Sequence, residues 1–191
     1  MRDLTSELTE LPVARARRHL AGLPAAGDYA VRIVPLDYDE KPALSGWTHF
    51  DERRITIEIP DPFIPFGEVV PYGAKRRPGA DGMRFTWLTE GVTFRTPREV
   101  LRFVYLHEWM HWFLAERLGK KSRAETTCDR FALWNYRRKL VTEADARAAL
   151  SRRGRRSDAI DDAAADAAVE ATQMSLSFAA THDPSDVAGR R

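Results

Sequence analysis

Residues 96–119 read TPREVLRFVYLHEWMHWFLAERLG. Both ends of this stretch carry helix signals. Thr96 is a natural N-cap, Pro97 suits the first helical position, and Glu99 completes a capping box. Gly119 supplies a C-terminal stop after Leu118. The pattern predicts a central helix from Pro97 to about Leu118. Within it stands His107-Glu108-Trp109-Met110-His111, an H-E-x-x-H pattern one turn beyond apolar Val100, Leu101, Phe103 and Val104. Trp109, Trp112 and Phe113 read as the side of the helix that meets the core.

Residues four apart on a helix share a face, with Cβ atoms about 5–6 Å apart. Two imidazoles so placed suit one tetrahedral zinc, bound through neutral nitrogens. Glu108 projects about one-third of a turn from His107. It can reach a zinc-activated water, whose pKa falls to roughly 7, and take its proton without itself becoming a ligand. The spacing therefore predicts metal-assisted hydrolysis. The competing reading is a pair of core histidines hydrogen-bonded to backbone.

A catalytic zinc site needs a third protein ligand. His19 and His49 lie far upstream and His182 stands near the end of the chain. A second helix is expected from Ser122 to about Leu140, and it offers Glu125 and Asp129 on one face. Glu125 is the expected third ligand. Asp129 would then accept a hydrogen bond from the far nitrogen of a zinc histidine and fix its tautomer. Ser122-Arg-Ala-Glu125 is also a capping box, which would occupy Glu125 at its own helix start. In that case Asp129 or Cys128 stands in as ligand.

H-E-x-x-H followed by ETTCDRFA (125–132) resembles the zincin metallopeptidases with a glutamate third ligand, and the ImmA/IrrE family in particular. Residues 97–135 carry it; the upstream strands fit only in outline. It implies a zincin-like fold, with Zn2+ on His107, His111 and Glu125, Glu108 as general base and Asp129 behind a ligand. It also implies an edge strand that binds substrate backbone, sought within 83–95 or 54–59, and a transition-state donor, for which Tyr105 and Tyr136 are candidates. The linker between the two helices is short for that family, and no helix-turn-helix segment is visible. A weaker similarity to SprT-like metallopeptidases lacks the third histidine of that group.

Upstream, residues 6–22 read as a helix and YAVRIV (29–34) as a strand. ALSGWTHF and RITIEIP form a hairpin around DERR, with Ile55, Ile57 and Ile59 on one face. Residues 60–82 are rich in proline and glycine and read as a long loop. MRFTWL and VTFR, separated by TEG, read as a second hairpin. Downstream, a short helix is expected over 142–153, then an Ala/Asp-rich helix and a disordered tail. Strands followed by helices indicate α+β, with a small antiparallel or mixed sheet packed on the H-E-x-x-H helix. The expected units are an N-terminal helical segment (1–28), the metallopeptidase domain (29–153) and the tail region (154–191).

The chain has 191 residues, a 43% hydrophobic content that suits a globular core, and a net charge of +2. One cysteine rules out an internal disulfide framework. The start of the chain shows no signal-peptide core, and no segment is apolar enough to span a membrane. A cytoplasmic zinc endopeptidase acting on a protein or peptide substrate is the expected function. The alternatives are an inactive protein-binding module of the same fold and a DNA-associated protease. Arginine groups at 15–18, 137–138 and 152–156 sit among 28 acidic residues and read as solvated faces rather than a nucleic-acid footprint.

Overall fold

Three isoleucines at alternate positions fix the sheet. In strand β4 (Arg54–Ile59), Ile55, Ile57 and Ile59 are fully buried on one face. Two parallel strands continue the sheet on one side: β2 (Ala30–Pro35) pairs with β4, and β1 (Leu4–Ser6) pairs with β2. On the other side β3 (Ser45–His49) runs antiparallel to β4 and forms the edge. The order is therefore β1-β2-β4-β3. Val31 and Ile33 of β2 join the isoleucines in the core, while Arg32 faces solvent and pairs with Glu7. The structure, a computed structural model, describes residues 3–79, 82–120 and 125–155.

The segment read as one helix over 6–22 divides at Pro12. Strand β1 ends at Ser6, residues 7–12 are irregular, and only Val13–Leu20 (α1) is helical. Proline disfavours the helical conformation in the residue before it, and it can only begin a helix, not continue one. The Ser6 hydroxyl donates to the Leu11 carbonyl at 2.6 Å and secures the bend. Leu4, Leu8, Leu11, Ala16 and Leu20 enter the same core as the sheet, so the N-terminal segment is continuous with the rest.

The expected loop over 60–82 and hairpin over 83–95 are both replaced by one long ribbon. Phe66–Gly79 is strand β5 and Gly82–Phe94 is β6, antiparallel along their whole length. The turn falls between them rather than at Thr89-Glu90-Gly91. Pro71 and Pro78 disguised β5 as a loop. A two-stranded ribbon tolerates proline because each strand has an open edge, where a missing N–H breaks no ladder bond. At its base Phe66, Val70, Val92 and Phe94 are buried.

Helix α2 (Pro97–Trp112) begins as the sequence predicts. The Thr96 hydroxyl accepts from the Glu99 N–H at 3.3 Å, and Glu99 accepts from the Arg95 N–H at 2.8 Å. It widens into a π-turn over Phe113–Arg117 and stops at Gly119, whose φ of 62° is the left-handed value that glycine accepts without strain. Trp109 and Phe113 stack in the core, with Trp112 beside them. Helix α3 (Glu125–Asn135) runs antiparallel to α2, and α4 (Glu143–Arg155) follows. The architecture of the described residues is α+β: a small mixed sheet, a ribbon and four α-helices. Among the described residues no helix is long and apolar enough to cross a membrane. The expected Ala/Asp-rich helix and tail lie outside the described residues.

Arg102 holds the helix ends together. It is buried, yet every contact is with a backbone carbonyl. Nε donates to Tyr136 O at 2.7 Å, Nη1 to His19 O at 2.6 Å and Ala21 O at 3.3 Å, and Nη2 to Arg138 O. These carbonyls lie at or just beyond the C-termini of α1 and α3, where acceptors are orphaned and a cation is favoured. Arg102→Met keeps much of the volume but abandons these acceptors. It should lower stability by about 3 kcal/mol, read as a shift of the urea unfolding midpoint at unchanged slope.

Candidate metal centre

From Val100 to Leu114 every residue is buried except His107 and His111, which are half-buried. Helix α2 is enclosed on all other sides, so its one opening is the strip where these histidines stand. Helix α3 packs across that strip and begins with Glu125. The three donor atoms converge: His107 Nε2 lies 3.1 Å from His111 Nε2 and 3.2 Å from Glu125 Oε2, and His111 Nε2 lies 3.3 Å from the same oxygen. This His-His-Glu group could hold a metal ion. Four donors about 2.0–2.1 Å from one zinc at tetrahedral angles stand about 3.3–3.4 Å apart, so the observed triangle needs little expansion.

Asp129, one turn after Glu125, places Oδ1 2.8 Å from His107 Nδ1. A proton on Nδ1 is thereby held by the carboxylate, and the neutral ring turns the lone pair of Nε2 toward His111 and Glu125. Three lone pairs would then point at one another. Only a proton or a metal cation between them relieves that arrangement, and this is the test that the donor set passes. Glu125 Oε2 is directed at the two histidines; Ser122, its possible capping partner, lies outside the described residues. Cys128 is fully buried on the core side of α3.

Glu108 is buried and stands beside the histidine strip. Its anchor comes from the edge strand. Thr48 Oγ1 is 2.8 Å from Glu108 Oε2 and 2.9 Å from the Glu108 carbonyl, so one hydroxyl proton serves two acceptors of the same residue. Gly46, two residues earlier on β3, permits the approach: a Cβ there would come within 2.4 Å of Val104 Cγ1 and 3.3 Å of Glu108 Cγ. Sequence reasoning missed both residues. They lie about sixty positions from Glu108, and a Gly-x-Thr in a strand carries no local signal of that contact.

Tyr105 and Tyr136, the candidate donors, are spent on the core. The Tyr105 hydroxyl donates to Pro24 O at 2.7 Å, and Tyr136 packs against Phe94 and Phe103. Strand β4 (54–59) is paired on both sides and offers no free edge. The strand that lies against Glu108 with an unpaired edge is β3. Comparison of the chain with protein-family models, curated proteins and solved structures finds no match.

The electrostatics of the site follow from these contacts. Burial opposes the charged form of His107, but hydrogen bonds to Asp129 and Glu125 more than reverse this and raise its pKa well above the ordinary value. Burial likewise opposes the charge on Glu125, yet hydrogen bonds from His107 and His111 and their nearby charge hold its carboxyl well below the usual range. The raised proton affinity of His107 sets a proton and a metal in competition for the same nitrogen. Zinc binding should therefore release protons, and affinity should rise as pH rises toward the raised His107 pKa. Calorimetry in buffers of different ionisation heat measures the release; none would contradict this account of the site.

Proposed function

We propose that the chain is a zinc-dependent metallopeptidase of the zincin type. One observation carries this reading: three ligand-type atoms from H-E-x-x-H and the following helix converge, with a carboxylate behind the first histidine and a second carboxylate beside the strip. The α+β architecture is compatible with it, with a helix under a mixed sheet whose edge strand runs antiparallel. Zinc on His107, His111 and Glu125 supplies Lewis-acid activation of water and polarisation of the substrate carbonyl. The remaining roles belong to the chain itself.

Glu108 is the general base. Its Oε2 is held by Thr48, which fixes the carboxylate against rotation and leaves Oε1 to take the proton of the attacking water and hand it to the leaving amine. Asp129 keeps the proton of His107 on Nδ1 and so keeps Nε2 available as a ligand. Strand β3, through its free edge, takes the role of aligning an extended peptide by main-chain hydrogen bonds. Burial around Glu108 on α2 limits water to the open strip and strengthens each electrostatic contact there.

Purified protein should contain about one zinc per chain by elemental analysis, and His107→Ala, His111→Ala and Glu125→Ala should each lose it. Glu108→Gln should retain zinc and the wild-type unfolding midpoint while cleavage of an unfolded protein substrate falls by at least about a hundredfold. Zinc-loaded Glu108→Gln that cleaves at the wild-type rate would remove the general base from the mechanism. Wild-type protein that holds no zinc would remove the whole reading.

A further inference from the structure

The ribbon leaves the core at an irregularity. Between Pro71 and Gly73 the register of β5 against β6 slips, leaving Tyr72 as an extra residue. Such a bulge bends a ribbon and increases its twist. Before the bulge the ribbon is anchored by buried Phe66, Val70, Val92 and Phe94; beyond it no described residue of either strand is buried. The distal part of β5, residues 72–79, spans about 25 Å at roughly 3.3 Å per residue. Tyr72 at its base still packs against the core, and from Lys75 outward the arm adds no residue to it.

Its charge is one-sided. Residues 72–88 hold Lys75, Arg76, Arg77 and Arg84 against Asp81 alone. Cross-strand partners share a face and neighbours along a strand alternate. The register pairs Arg77 with Arg84 and Lys75 with Thr86, so Lys75, Arg77 and Arg84 lie on one face, and all three are exposed. Pro78, Met83, Phe85, Ala74 and Trp87 occupy the opposite face, where Met83 and Phe85 are about half-exposed. Lys75 and Arg77 are about 6.6–6.8 Å apart along the strand, and Arg84 lies across from Arg77.

We propose that the distal half of the β5–β6 ribbon is a DNA-binding arm that lays Lys75, Arg77 and Arg84 against the phosphate backbone of a B-form duplex. The major groove of such a duplex admits a two-stranded ribbon, and a ribbon face with clustered cations and no acidic residue within strand segments 72–79 and 82–88 meets a closely spaced row of phosphates. Lys75, Arg77 and Arg84 stand on the face opposite Met83 and Phe85. A single strand that stacks its bases on Phe85 would have its phosphates on the face without Lys75, Arg77 and Arg84. A bilayer that took up Met83 and Phe85 would leave those cations directed away from its headgroups. The deep, narrow major groove of an RNA duplex excludes the ribbon. The contacts carry no sequence information, so binding is independent of base sequence. This inference stands apart from the metal centre and holds whether or not the chain cleaves peptides.

The test uses the full, zinc-loaded chain and a fluorescently labelled 20-base-pair DNA duplex, titrated by anisotropy between 50 and 200 mM NaCl. Three phosphate contacts predict a slope of about −2.7 in log affinity against log salt, a loss of about 40-fold over that range. K75Q/R77Q/R84Q should weaken binding at 50 mM by at least about tenfold while zinc content and unfolding midpoint stay unchanged. R77K/R84K, which preserves charge, should retain the wild-type slope. The proposal is overturned if no duplex binding occurs at 50 mM, or if the triple glutamine variant binds as well as wild type. Tighter binding to a single-stranded oligonucleotide, to phosphatidylserine vesicles or to polyglutamate of matched charge than to the duplex also overturns it.

Discussion

Helix α2 is enclosed on every side but one, and the rest of the candidate site follows from that constraint. A helix surrounded by core has few places to put a polar group. His107 and His111 occupy the strip that α3 crosses, and Glu108 sits at its margin with its carboxylate tied to Thr48. The tight fit of β3 over α2, which Gly46 permits, sets the position of that tie. The arrangement is thus a property of packing before it is a property of chemistry: the same burial that stabilises the helix decides which side chains can meet.

The two helices contribute in the same way. Each offers a pair of groups four residues apart, His107 with His111 and Glu125 with Asp129. Because α2 and α3 run antiparallel, Glu125 meets both histidines at their Nε2 atoms, while Asp129, one turn on, meets only His107, and at Nδ1. The other end of α3 is fixed independently, where Arg102 binds the Tyr136 carbonyl just beyond it. A rotation of α3 would move both carboxylates off their partners and drive Cys128 and Phe131, both fully buried, out of the core. The hydrophobic face of α3 therefore holds Glu125 in place more firmly than the hydrogen bonds of Glu125 itself, whose net value in a partly solvated site is modest.

Much of this was legible in the sequence because it is local. The cap at Thr96, the stop at Gly119, the alternation of Ile55, Ile57 and Ile59 and the four-residue spacing of the histidines all depend on neighbours within a turn or two. What escaped is what depends on partners distant along the chain. Strand β1 is three residues long and exists only because β2 is beside it. Strand β5 carries prolines and glycines that signal a loop until β6 is known to pair with it. Thr48 and Gly46 matter only through a helix some sixty residues later. The cations of the ribbon show the same limit: Lys75 and Arg77 are separated from Arg84 by the turn, and only the register places them on one face.

The charges around the opening show why a cation fits there. Glu108, Glu125 and Asp129 bring three carboxylates to one small region, with two histidines as the only bases among them. A proton on His107 offsets one of these charges, at the expense of holding a partly buried ion whose hydration is reduced. A divalent cation at the converging atoms would offset two, and it would do so while returning His107 to its neutral form. Each of the three carboxylates then keeps one specific partner: Glu125 the metal, Asp129 the Nδ1 proton and Glu108 the Thr48 hydroxyl. No acid of the group is then left without a counterpart.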